Sequence, residues 1–217
     1  MTKGMPKPLE KIFFYFPFFH LLLVAGSGLY FLKNISLTSV GIIIFSTYLV
    51  PLILWRLLHG KYPLHKGLSP IGILARDGSS WMVAHRLQYL FLTFSSLEKI
   101  LILIPGLFSL WLRCWGSHIG KSVVWTPNVR ILDRTGLHIG SYSFLGEGTI
   151  LSCHLIVRKQ GKLVLLYDSI TMGEKVLLGA HAHIGPGAKI KDQELIPTYS
   201  KIMKGRYLKG NGDGYEL

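Results

Sequence analysis

His154 lies in the run LSCHLI, Leu151–Ile156, just ahead of the stretch IVRKQGKLVLLYDSIT. An imidazole titrates near neutrality, so it can take a proton from a hydroxyl or an amine at physiological pH. A surface histidine with no role fits the same position. Two more histidines, His181 and His183, alternate in GAHAHIG, and residues two apart on a strand share a face. Either could line the same cleft or stack on an exterior. Glu147, after Gly146, could orient a base or could be solvated in a turn. Lys189, Lys191, Lys201, Lys204 and Arg206 form a basic run near the C-terminus. Such groups suit a phosphate-bearing cofactor and, equally, anionic lipid or plain solvent.

What must position these residues is a rhythm of six. From Met172 the chain reads MGEKVL, LGAHAH, IGPGAK, and then Ile190. Each block opens on an apolar residue followed by Gly and carries Val or Ala in its fifth place. The same ruler finds Ile119, Trp125 and Ile131, then, after two extra residues, Ile139, Leu145 and Leu151. Glycine follows most of these openings. Self-similarity of this kind is the mark of a stacked repeat. The period predicts a three-sided parallel coil of about four turns, at eighteen residues per turn, with the apolar opener inward. The small fifth residue sits near the axis, and Gly fits an uncrowded corner. On this frame Leu151 and Leu155 point inward, and His154 does not.

These repeats resemble the hexapeptide acyltransferases, which are left-handed parallel β-helices. The resemblance runs from Ile119 to about Leu208, including LIPTYSKIMKGRYLKG, which looks like that family's closing segment. It implies a homotrimer with clefts between subunits, acyl-CoA (acetyl-CoA foremost) as co-substrate, and a histidine base, with no metal expected. His154 is the leading base, with His181, His183 and Glu147 as further site candidates. The basic run would meet the CoA phosphates. A closer resemblance is to the membrane-plus-β-helix terminal domain of amino-acid polymerising synthetases. There an HL pair follows a GEGT-like turn, as in GEGTILSCHL here, and a loop interrupts the coil. That keeps amide-bond formation on a carrier-bound amino acid as an alternative. Gamma-type carbonic anhydrases share the fold, and VRILDRTGLHIG resembles their entry to the coil. Their zinc needs three converging ligands. Here His181 and His183 are closer in sequence than their ligands, and the Gln-Asp pair expected near Phe144–Glu147 is missing. A non-catalytic membrane scaffold is the remaining alternative.

The N-terminal third has a different composition. The chain has a net charge of +13, two cysteines, and a positive mean hydropathy of +0.38. Ile12–Leu32 and Ile35–Trp55 carry no formal charge, and about 20 helical residues cross a bilayer. A link of Lys33 and Asn34 makes them antiparallel neighbours. Lys3, Lys7 and Lys11 precede the pair, and Arg56, Lys61 and Lys66 follow it. The positive-inside rule therefore places both ends in the cytoplasm, on an inner membrane. No nucleic-acid motif accompanies the basic charge. Cys114 and Cys153 suggest no disulfide framework.

The expected plan is a transmembrane hairpin over 1–58 and a connection with amphipathic or interfacial helices over 59–115. A left-handed β-helix over 116–208, with a loop at 156–171, and a tail over 209–217 complete it. Within 85–115 a break is expected near Pro105 and Gly106, with packing on the C-terminal domain as the alternative to lying in the bilayer surface. The expected activity is acyl transfer from acyl-CoA to a hydroxyl or amine of a membrane lipid or lipid-linked sugar.

Overall fold

The computed structural model describes residues 5–70, 79–159, 162–203 and 206–208. It divides into two compact units, Met1–His65 with Ala75–Thr93, and Lys66–Leu74 with Phe94–Leu217.

The first unit is helical. It holds α1 (Lys7–Phe14), α2 (Phe16–Lys33), α3 (Leu37–Ile44), a π-turn (Phe45–Leu49), α4 (Val50–Lys61), α5 (Ser80–Leu87) and α6 (Tyr89–Thr93). Ser36 starts α3 as a capping box with Ser39. Two stretches, Phe16–Lys33 and the continuous Leu37–Lys61, are long and apolar enough to cross a membrane. Phe18, Phe19, Leu22, Leu29 and Leu32 of α2 are exposed. The two stretches pack side by side through polar contacts. In the π-turn the N–H of Val50 reaches back to Phe45 O. The next donor in that register would be residue 51, a proline with no N–H. Ser46 O is met instead by His20 Nε2 at 2.9 Å, and Ser27 Oγ joins Ser46 Oγ at 3.0 Å.

The second unit is the repeat. Strand β1 (Gly67–Pro70) and helices α7 (Ser96–Ile102) and α8 (Leu107–Trp115) precede it. Coil one is β2 (His118–Ile119), β3 (Val124–Trp125) and β4 (Arg130–Ile131). Coil two is β5 (Leu137–Ile139), β6 (Phe144–Leu145) and β7 (Ile150–Leu151). After an interruption come β10 (Ile170–Met172), β11 (Leu177–Leu178) and β12 (His183–Ile184), then β13 (Lys189–Ile190), β14 (Leu195–Ile196) and β15 (Lys201–Met203). Each strand pairs in parallel with its copy one coil away, so that three parallel sheets enclose the core. Every predicted opener, from Ile119 to Ile190, is buried, and the series continues through Ile196 and Ile202. Most fifth places are buried as well, at Ser143, Thr149, Val176, Ala182, Ala188 and Ser200, while Val123 and Val129 are half-buried and Glu194 is exposed.

Three local expectations change. The left-handed backbone falls on the fourth place, at Ser122, Tyr142, Lys175, His181, Gln193 and Tyr199, not on the glycines of the second place. Those glycines are needed because their surroundings are crowded. A Cβ at Gly146 would lie 2.5 Å from Leu178 O of the next coil, closer than real Cβ atoms come. Second, the segment read as a loop is an antiparallel arm, β8 (His154–Lys159) with β9 (Lys162–Tyr167), and β9 also pairs with β1. Leu155 belongs to β8 and is half-buried rather than an inward fifth residue. Third, the run 85–115 breaks at Pro105 and Gly106 as expected, but α8 packs on the first coil of its own unit. Phe108 meets Trp125 edge to face, and Phe108, Trp111, Leu112 and Trp115 are buried.

Candidate active site

The coil breaks step twice, and both breaks follow stacked residues. Ile131 and Leu151 are register partners in β4 and β7. The first break inserts two extra residues after Ile131, and the second sends the chain into the arm after Leu151. Continuing each strand by two residues sets Asp133 beside Cys153. The Cys153 N–H donates to Asp133 Oδ2 at 2.8 Å, and His154 Nδ1 lies 2.7 Å from the same oxygen.

Asp133 is 2% exposed. As a carboxylate it only accepts, so the proton of the neutral imidazole sits on Nδ1 and the acceptor lone pair on Nε2. Ser152 Oγ donates to His154 O at 2.7 Å and fixes the backbone at the turn into the arm. The buried Cys153 thiol is raised well above its ordinary range, first by burial and then by the Asp133 charge. It is therefore a poor nucleophile at neutral pH. Tyr167, on the other strand of the arm, has its phenol raised by burial first and the Cys153 side chain second.

A cleft of about 50 Å³ opens here, lined by Ser152, His154, Leu155, His183, Lys201 and Met203 among others. His183 and Lys201 are register partners on β12 and β15, one rung apart on the outer face. Burial first, and the Lys201 charge second, hold His183 below the usual imidazole range, so it is neutral at pH 7.

The other sequence candidates lie apart. His181 occupies a left-handed corner (φ 57°), and its ring stacks on Tyr199 with centroids 5.1 Å apart. A corner therefore separates His181 from His183, and the shared strand face expected from their spacing does not exist. Glu147 accepts a hydrogen bond from Asn128 Nδ2, whose Oδ1 is held by Lys99 Nζ at 2.6 Å. The carboxylate that faces His154 is Asp133. Lys189 stands on another sheet, in register with Thr171, and Lys191 is exposed at a corner. The basic run is thus not one patch. Lys201 alone among its described side chains lines the cleft. Lys204 lies outside the described residues, and of Arg206 only the backbone, in β16 (Arg206–Leu208), is described. Among the described residues no three His, Cys, Asp or Glu side chains converge as metal ligands.

Sequence reasoning missed Asp133. The signal was present in the two-residue register slip after Ile131, because residues outside the repeat are free to face a site.

No protein-family model matches the chain. Two curated relatives do, both named "Putative colanic acid biosynthesis acetyltransferase WcaF", from Escherichia coli (strain K12) and Shigella flexneri. Each is 26% identical over 113 residues, covering 43% of this chain and 62% of the relative. The chain resembles the hexapeptide-repeat acyltransferases. It spans somewhat under two thirds of the length of these curated relatives. Two solved structures of a hexapeptide-repeat acetyltransferase from Vibrio cholerae also align. The acetyl coenzyme A complex, from O1 biovar eltor, is 15% identical, with 58% of this chain and 89% of that chain covered, at a TM-score of 0.37. The second Vibrio cholerae structure is 16% identical, with 58% of this chain and 93% of that chain covered, at a TM-score of 0.35. The parallel coil itself rests on this chain's own strand pairing.

Proposed function

We propose that this protein is a membrane-anchored acetyltransferase that moves an acetyl group from acetyl-CoA to a hydroxyl or amine of a membrane lipid or lipid-linked sugar. The observation that carries the reading is the His154–Asp133 pair, of which His154 lines the cleft. His154 Nε2 takes the proton as the acceptor oxygen or nitrogen attacks the thioester carbonyl carbon. The C–S bond then breaks, the acetyl group stays on the acceptor, and the thiolate leaves to be protonated by the imidazolium. Asp133 holds the ring in the required tautomer and orientation. Lys201 is the described cation placed to meet a CoA phosphate or a developing oxyanion. The relatives' names support the acetyl donor, and the two apolar stretches support the anchor.

The same reading includes a left-handed winding and a homotrimer. The outward residues of the β3–β6–β11–β14 sheet are Val124, Phe144, Leu177 and Leu195, all exposed. An apolar column of this kind suits burial against a second copy, and such a neighbour would deepen a cleft that is small in one chain. Both termini and the coil are expected on the cytoplasmic side, where acetyl-CoA is available.

The test incubates the detergent-solubilised protein with labelled acetyl-CoA and lipid extracts, and follows label into lipid by mass spectrometry. A product heavier than its acceptor by one labelled acetyl group, formed about 10²–10⁴-fold faster than by the His154→Ala variant, supports the proposal. Release of free acetate with no acetylated lipid or glycan overturns it. Condensation of amino-acid residues on a carrier would favour the amide-forming alternative.

A further inference from the structure

We propose that Arg86 holds the phosphate of a lipid headgroup, so that the helical unit carries a headgroup site of its own. This rests on the reading that the two apolar stretches lie in a bilayer.

Arg86 lies on α5, which packs against α1, α2 and α4. Its guanidinium carbon is 4.7 Å from the ring centroid of Phe14 and 5.5 Å from that of Tyr89. The rings fix the plane of the group without using its donors. Its Nε is buried, and among the described residues the side chain makes no hydrogen bond and no ion pair. A half-buried cation left in this way calls for an anion. The unit itself is short of them. Its sequence holds eight lysines and arginines against two acids, Glu10 and Asp77. Glu10 is engaged elsewhere, accepting from the Ser79 N–H at 3.0 Å.

The position narrows the anion to a lipid's. Phe14 lies just ahead of α2, and the link between the apolar stretches is at the far end. His20 bonds to the π-turn beyond that link, so the pair's open end gathers Phe14 and Tyr15 with Trp55, Arg56 and His59. This is where an uncharged helix pair gives way to charge, the level of headgroups in a bilayer. A guanidinium presents a planar fork that matches phosphate oxygens two at a time and sheds water more readily than an ammonium. The exposed Phe18, Phe19 and Leu22 of α2 offer a surface for the acyl chains of the same lipid.

The test uses the full chain in detergent micelles and native mass spectrometry. Dioleoyl phosphatidic acid is titrated beside dioleoylglycerol, which has the same chains and no phosphate, and beside inorganic phosphate. The expected result is binding of phosphatidic acid at least about 10-fold tighter than of dioleoylglycerol, an advantage of the size charge-assisted bidentate bonds supply. Arg86→Gln should remove that advantage while the protein still fractionates with membranes. Millimolar inorganic phosphate should not displace the lipid. Equal affinity of Arg86→Gln and native protein for phosphatidic acid overturns the proposal. Displacement by inorganic phosphate overturns it as well, in favour of a soluble phosphate. If Arg86→Gln does not fold, Arg86→Lys decides, since it keeps the charge and loses the fork. Weaker binding then supports the site, and unchanged binding sinks it. Acetyl transfer is read separately, so a missing headgroup site and a missing acetyltransferase activity give different results.

Discussion

At the scale of single residues, the His154–Asp133 pair makes the sharpest demands. Replacing His154 by Ala should lower turnover by about 10²–10⁴-fold, the usual worth of general-base catalysis, with acetyl-CoA affinity little changed. Asp133→Asn is a subtler variant. Its amide can donate to Nδ1 and so stabilise the tautomer that has lost its acceptor at Nε2. Turnover should drop while KM for acetyl-CoA holds, and the pH–rate profile should shift, which damage to the fold alone would not produce. Steady-state kinetics of the two variants checks both statements. Two other histidines report on stability. His183 is held below the usual imidazole range by burial first and Lys201 second, and His138 by burial first, then His118 and Lys66. A depressed folded pKa means that the unfolded chain takes up the proton first. Their contribution is therefore complete above about pH 6.5 and is lost as pH falls from there towards the folded values. Thermal melts of a His138→Gln, His183→Asn double variant should lose less stability between pH 7 and pH 5 than the native protein. Equal losses would mean that other groups control the acid limb.

At the scale of elements, one rung of the coil is the unit of stability. Leu145, the last residue of β6, is 0% exposed, and Leu145→Ala should cost about 2–5 kcal/mol in unfolding by denaturant. The seam between α7, α8 and the coil is polar and buried. Arg134, 0% exposed, reaches Glu98 with Nε at 2.6 Å and Nη2 at 2.5 Å, and Trp111 Nε1 donates to the same carboxylate at 3.1 Å. Removing one partner strands the other charge, so Glu98→Leu should cost about 3–5 kcal/mol. Pairing it with Arg134→Met should recover much of the loss, a coupling that a double-mutant cycle in chemical denaturation would read. These elements also mark how far the sequence could be read. The openers were legible because an inward place tolerates only apolar side chains, and that requirement repeats every six residues. The arm was not, since β8 pairs with β9 and β9 in turn with β1, a partner about a hundred residues away that no local period reveals. Asp133 escaped for a related reason. Its role depends on Ile131 stacking on Leu151, which becomes visible only once the two register slips are seen as neighbours. The helix α8 has a strong apolar face, and periodicity alone could not choose between a bilayer and the first coil as its cover.

At the scale of the whole molecule, the composition falls into two regimes. Most apolar side chains of Phe16–Lys33 face outward, while the openers of the coil face inward. The charge flanking the helix pair leads to a topology test. A cysteine placed near the C-terminus should resist a membrane-impermeant reagent on intact cells and react after permeabilisation. Labelling of intact cells would reverse the orientation and part the coil from cytosolic acetyl-CoA. Sedimentation in detergent should give a trimer, and a fully active monomer would remove the need for a shared cleft. The first coil has one more consequence. Arg113, on α8, donates from Nε to Ile119 O and from Nη2 to Gly120 O, both at 2.8 Å. Those carbonyls belong to the rung that begins the stack. A stack whose rungs all bond alike has no intrinsic length, because its last edge is the template for another molecule's first. Arg113 and the buried face of α8 act as a chain terminator. Without them, the same pairing that folds one molecule becomes a route to head-to-tail filaments.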